Sequence, residues 1–277
     1  MAVMDMSVVQ KYLGWISALV VTTNQPCVGA TLVELDRLMC ARVPQSDATV
    51  TAKRSLSTGL SQGDLDKLAT HDVVLLIDKS YSMTKLDCLP SALDGDQTQS
   101  TVSRWRWCQE QTLDLTEKIK DAMPAGITVV LFNGNTSVYN NVDAKAIETI
   151  FSDNRPKGNT NTAVALKGQL DQYFERRYRL GKETKPLLVA VITDGCPNVP
   201  SSLRYAIVDA TRQMTTPEEI SITFLQVGND AAGGKILKGL DSGLVSQNAQ
   251  FDIVDLVSFT ELRKKGLARA LVEIAKK

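Results

Sequence analysis

The chain has 277 residues, of which 43% are hydrophobic, enough for a sizeable core in one large domain or two. Lysine and arginine total 31, as do aspartate and glutamate, so no bulk charge draws the chain toward nucleic acid or anionic lipid. Five cysteines, at positions 27, 40, 88, 108 and 196, are odd in number, widely spaced and without Cys-x-x-Cys, which favours reduced thiols in a cytoplasmic protein over a disulfide framework or a zinc site. A bridge between Cys88 and Cys108 across a loop stays open as the alternative.

Near the amino terminus, Tyr12 to Val21 is the one stretch that could pass for a signal sequence. It is short, holds Gly14 and Ser17, follows Asp5 and has only Lys11 as a positive flank, so secretion is not expected. No run approaches the ~20 apolar residues of a membrane span. One helix is expected over Val8 to Val21 and another over Ala30 to Val43, where Leu32, Leu35 and Leu38 recur at helical spacing. Residues 1–70 therefore read as a small N-terminal helical region and residues 71–277 as the main domain. A DNA-reading helix pair is disfavoured, because Arg37, Arg42, Lys53 and Arg54 make too thin a basic face.

Gly59-Leu60-Ser61-Gln62-Gly63 has the spacing of a nucleophile elbow, which needs a buried strand before it and a later histidine base. Nothing strand-like precedes Ser61, and the sole histidine is His71. Asp64, three positions after Ser61, points instead to a capped short helix through Ala69. The single histidine also removes a His-Glu-x-x-His zinc site and most histidine-based acid–base mechanisms.

Val73 to Ile77 is an unbroken apolar run, the mark of a strand buried on both faces at the centre of a parallel sheet. Asp78 ends it, and Ser80 and Ser82 follow at intervals of two, so an extended turn would point all three side chains the same way. Thr84 to Ser103 reads as a surface loop beside that end of the sheet, carrying Asp87, Asp94 and Asp96. In the next helix Trp105, Cys108, Thr112, Leu115, Ile119 and Ala122 form the core stripe, with Trp107 off it and expected at the surface near the site.

Ile127 to Phe132 is the next strand, and Asn133-Gly134-Asn135 signals a tight turn into a short antiparallel edge. A helix is expected over Ala144 to Phe151, then the turn-rich Gly158-Asn159-Thr160-Asn161-Thr162 opens another. Its cationic end, Arg176, Arg177 and Arg179, complements the helix dipole and reads as a solvated terminus. Leu187 to Thr193 is a second apolar strand, followed by Asp194. A helix over Ser201 to Met214, a strand over Ile220 to Val227, a short helix over Lys235 to Leu240, a strand over Phe251 to Val254 and a terminal helix opened by the capping box Ser258-Phe259-Thr260-Glu261 complete the pattern. Strands and helices alternate throughout, which predicts an α/β fold with a doubly wound, mostly parallel central sheet and helices on both faces.

Asp-x-Ser-x-Ser alone is a weak signal, since short polar residues after a strand serve turns and caps equally well. With the Thr160 loop and the acid-terminated strand at Asp194, the chain resembles a von Willebrand factor A (VWA) domain with a metal-ion-dependent adhesion site, of the intracellular type. The family's pattern of Asp-x-Ser-x-Ser, a distant Thr and a distant Asp falls on Asp78, Ser80, Ser82, Thr160 and Asp194. Cys196-Pro197 is similar to that family's loop after the last acid.

The resemblance implies an Mg²⁺ ion, with Mn²⁺ as a substitute, because oxygen ligands suit hard cations rather than zinc. It also implies a protein partner offering an Asp or Glu carboxylate to complete the metal's shell, so that the module is an adaptor and not an enzyme. Some similar proteins belong to larger assemblies with AAA+ ATPases; neither nucleic acid nor membrane is expected as a partner. An extracellular adhesin and a metal-assisted hydrolase are the alternatives. One departure is Tyr81, where the family commonly has Gly between the serines; its ring either stands over the metal or faces outward.

Overall fold

A computed structural model of the chain describes residues 59–89, 100–195 and 197–276. The expected helices at Val8–Val21 and Ala30–Val43, the loop acids Asp94 and Asp96, and Cys27, Cys40 and Cys196 lie outside the described residues.

A short helix, α1 (Gln62–Ala69), comes first. Ser61 caps it as its spacing to Asp64 predicted: Asp64 N donates to Ser61 Oγ at 3.2 Å and Ser61 N to Asp64 Oδ2 at 2.9 Å. Ser61 is thus accounted for as a cap. Then follow β1 (Asp72–Asp78), α2 (Arg104–Ile119), β2 (Ile127–Phe132), β3 (Thr136–Val142), α3 (Ala144–Asp153) and α4 (Thr162–Leu180). The last elements are β4 (Leu187–Thr193), α5 (Pro200–Gln213), β5 (Ile220–Gln226), α6 (Ala231–Asp241), β6 (Val254–Val257) and α7 (Phe259–Ala275), which kinks at Gly266.

The six strands form one sheet in the order β3-β2-β1-β4-β5-β6. Only β3 runs antiparallel, returning from β2 through the Asn133–Asn135 turn. The chain winds outward from β1 through β2 and β3, then crosses back to lay β4 beside β1 and winds the other way. This is a doubly wound α/β fold. Its topological switch point lies between the carboxyl ends of β1 and β4, where such sheets leave a crevice for ligands.

Side chains of β1 alternate between two cores. Leu75 and Ile77 pack with α2, α3 and α7 through residues such as Leu115, Phe151 and Leu271. Val74 and Leu76 pack with α4, α5 and α6 through Leu170, Ile207 and Leu237. Every residue of β4 is buried, as its unbroken apolar run required.

Three expectations change. Trp107 is buried, 1% exposed, and meets the ring of Phe259 edge-on at 5.4 Å. α2 touches both α3 and α7, so its buried face is wider than a single helical stripe. The last strand is Val254–Val257, three residues later than its apolar run suggests. Its register is set by β5, which pairs Ile222 with Val254 and Leu225 with Val257. The arginines at the end of α4 are also more than a solvated terminus: Arg176 pairs with Asp72 at 3.0 Å, and Arg177 pairs with Glu219.

Candidate functional site

β1 delivers Asp78 to the switch point fully buried. Its Oδ1 accepts from the amide of Ser80 at 2.7 Å, a turn closed by the side chain that reverses the chain directly after the strand. Oδ2 accepts from Thr193 Oγ1, at the end of β4, at 2.8 Å. Ser80 is extended and opens a single turn over Tyr81–Thr84, which brings the Ser80 and Ser82 hydroxyls within 3.0 Å of each other. Ser80 keeps the extended backbone read from the sequence, but Ser82 lies inside the helical turn and meets Ser80 through it, not by strand alternation.

Backbone hydrogen bonds hold the Thr160 loop against this turn. Lys157 N donates to Lys79 O at 2.8 Å and Tyr81 N to Gly158 O at 3.1 Å. Asn133, in the β2–β3 turn, donates from Nδ2 to Lys157 O at 2.7 Å and accepts from Asn161 N at its carbonyl at 3.0 Å. On the other side Asn198 clasps Thr160, accepting from its amide at 3.2 Å and donating to its carbonyl at 2.9 Å. Asn198 lies four residues after Asp194, so the loops carrying Thr160 and Asp194 are pinned together. All five residues expected from the sequence thus sit on segments leaving the carboxyl ends of β1 and β4, or on the loop tied to both.

Asp194 is 2% exposed. Its Oδ2 accepts from Arg104 Nη1 at 2.8 Å, while Oδ1 is buried and accepts no hydrogen bond from any described residue. Asp78 feels Asp194 as a second negative charge. Burial above all, with that charge adding to it, pushes the Asp78 carboxyl up to about 6, against the pull of its hydrogen bonds from Ser80 and Thr193. Two acids in a dry crevice, one with an unused acceptor, are a costly arrangement unless positive charge joins them.

Arg104 supplies part of that charge. It opens α2, is 2% exposed, and spans from Asp194 to Asp87, donating Nε to Asp87 Oδ1 at 2.8 Å and Nη2 to Asp87 Oδ2 at 2.5 Å. Asp87, expected in a surface loop, is half of a bidentate pair whose guanidinium holds its carboxyl below the usual carboxylate range. The Arg104 role was not read from the sequence. A signal was present, since a cation in the first turn of a helix opposes the helix dipole.

Tyr81 is 72% exposed, so its ring faces outward into solvent. His71 precedes the amino end of β1, at the opposite end of that central strand from the site. Among the described residues no group of three or more His, Cys, Asp and Glu is gathered for a metal. The candidate set here is two carboxylates with three hydroxyls.

No protein-family profile and no curated protein matches the chain. Several solved structures are similar to it. The manganese-loaded TRAP protein of Plasmodium vivax matches at 14% identity over 74% of this chain and 72% of its own, with a TM-score of 0.48. The conserved hypothetical protein BatB of Bacteroides thetaiotaomicron matches at 15% identity over 74% and 96%, with a TM-score of 0.43. The PilB minor pilin of Streptococcus sanguinis matches at 14% identity over 74% and 61%, with a TM-score of 0.44. None of these likenesses carries the site, which stands on its own residues.

Proposed function

We propose that this chain is a VWA-type interaction module that grips a protein partner through a divalent cation held by Asp78, Ser80, Ser82, Thr160 and Asp194. The observation that carries this reading is Asp194 Oδ1, a buried carboxylate oxygen with no donor among the described residues, beside a second buried carboxylate. Buried acceptors are nearly always satisfied, and a cation is the partner that satisfies an anionic one best. The donor set is all oxygen and mostly uncharged, which fits Mg²⁺, or Mn²⁺ in its place, and not zinc. A hard cation so incompletely neutralised attracts an outside carboxylate, and a partner's Asp or Glu supplies one.

The protein's own groups keep the set in place. Thr193 and the Ser80 amide fix the orientation of the Asp78 carboxylate, Arg104 fixes Asp194, and Asn198 with Asn133 fixes the Thr160 loop. Nothing at this end of the sheet offers a histidine as general base, which supports adaptor work over hydrolysis. Cys88 and Cys108 are both buried free thiols, which supports a reducing cytoplasmic setting over an extracellular adhesin. Among the described residues no helix is long and apolar enough to cross a membrane. Membership of a larger assembly, such as one driven by an AAA+ ATPase, is the setting that the resemblance implies.

Calorimetric titration with MnCl₂ tests the site. Wild type is expected to bind one ion, Asp78→Ala none, and Thr160→Ala with affinity lower by roughly tenfold, the order of effect of losing one charge-assisted contact. Heats unchanged in Asp78→Ala would sink the reading. Partner capture in Mg²⁺, lost in EDTA and in Asp78→Ala, tests the bridging role.

A further inference from the structure

The crevice at the switch point is built around a cation of its own. Arg104 is 2% exposed at a helix end that disfavours positive charge, so its burial has to be offset by pairing. Three donors of its planar fork are engaged: Nη1 with Asp194 Oδ2, and Nε and Nη2 with the two oxygens of Asp87. The backbone makes room for it. Gly228, at φ +76°, lies so close that a Cβ there would fall 2.3 Å from Arg104 Nε. Three separate segments, the loop at Asp87, the end of β4 and the turn after β5, are shaped to this one guanidinium.

Asp194 is consequently a shared carboxylate. One oxygen belongs to Arg104, and the other, Oδ1, has no donor among the described residues. Any divalent ion taken up through Oδ1 sits one carboxylate away from a fixed positive charge. Asp87 faces the same guanidinium from its far side and cancels part of that charge.

We infer that Arg104 is an internal counter-cation that holds down the affinity of the Asp78–Asp194 site for divalent metal, and that Asp87 sets how strongly it does so. This rests on the reading of that site as a metal centre. Both are positioning residues, acting on the ion through Asp194. A metal site attenuated in this way leaves more of the cation's charge for the partner's carboxylate, because the chain itself neutralises less of it. At the separation spanned by one carboxylate, even the dielectric constant of bulk water, about 80, leaves a repulsion between a guanidinium and a divalent ion that amounts to roughly tenfold in affinity.

The test is Mn²⁺ titration calorimetry on the full chain, with metal-free melting followed in parallel. Arg104→Gln is expected to tighten Mn²⁺ binding by about tenfold or more, and Asp87→Asn to weaken it by several-fold. Arg104→Lys keeps the charge but gives up the bidentate fork, so it should lower the metal-free melting temperature with the others while staying within about threefold of wild type in Mn²⁺ affinity. Arg104→Gln and Asp87→Asn both break the same clamp, so both lower the metal-free melting temperature. A purely structural clamp would weaken Mn²⁺ binding in both variants, and that result overturns the inference. Wild-type binding that is abolished in Asp78→Ala would leave the metal site itself standing in that case. If neither wild type nor any variant binds Mn²⁺, the metal site and the inference fall together. Should Arg104→Gln fail to fold, Asp87→Asn still decides: affinity equal to wild type overturns the proposal, and a several-fold loss beside an unchanged Arg104→Lys upholds it.

Discussion

At Gly228 the backbone adopts φ +76°, a conformation that costs an L side chain roughly 1–2 kcal/mol. A Cβ added there would also fall 2.3 Å from Arg104 Nε and 2.6 Å from Cζ, and the guanidinium cannot yield without releasing Asp87 or Asp194. Gly228→Ala is therefore expected to cost about 2–4 kcal/mol, read as a lower urea midpoint with an unchanged slope. Gly168 is the counterpart. It sits inside α4, and a Cβ there would meet nothing within 4 Å. Gly168→Ala should stabilise the protein by about 0.5–1 kcal/mol, as alanine does in a helix interior. If the two substitutions shift the midpoint alike, the tight fit around Arg104 is disproved.

Among the elements, the turn Pro217–Glu219 shows how the end of α4 is fastened to the start of β5. Glu219 Oε1 accepts from the amides of Thr215 at 2.6 Å and Thr216 at 3.1 Å, and Oε2 pairs with Arg177. Burial would raise the Glu219 carboxyl, but these donors outweigh it and bring it down from 4.5 to about 2. A carboxyl depressed on folding stabilises the native state above its unfolded pKa and loses that contribution as pH falls through the folded one. Glu219→Gln should accordingly cost about 1–2 kcal/mol at pH 7, and the gap to wild type should close between about pH 4.5 and pH 2. A gap that stays constant across that interval in urea titrations would refute the assignment.

The same elements show what a sequence exposes and what it hides. β1 and β4 were legible because burial on both faces demands unbroken apolar runs, and the Ser61 and Ser258 caps because their hydrogen bonds close within three residues. The five candidate ligands were legible as a spaced pattern rather than from local physics. Trp107 was misplaced because a helix wedged between two neighbours buries more than one stripe, and β6 because an edge strand takes its register from its partner. Arg104 stayed hidden for a different reason. Its partners Asp87 and Asp194 are 17 and 90 residues away, and nothing local announces a contact of that range.

On the scale of the whole molecule, α1 raises the question of where the α/β unit begins. Leu68 is completely buried in the same core as Leu75 and Leu271. Asp64 is nearly buried and receives Arg269 at 3.1 Å and Lys276 at 2.5 Å, both from the C-terminal end of the chain. α1 therefore closes over the end of α7, and α7 in turn meets α2 where Leu267 N donates to Gln111 Oε1 at 3.2 Å. Removing α1 uncovers apolar surface and leaves the Asp64 partners unpaired, while removing only what precedes Gly59 leaves both contacts in place. A truncated chain beginning at Gly59 is expected to melt in one transition. A chain beginning at His71 loses the Leu68 burial, worth about 2–3 kcal/mol, together with the ion pairs. At roughly 2–4 °C per kcal/mol for a domain of this size, it should melt about 10 °C lower. Equal melting temperatures for the two truncated chains would place the start of the unit after α1, and would make α1 an appendage rather than part of the core that carries the site.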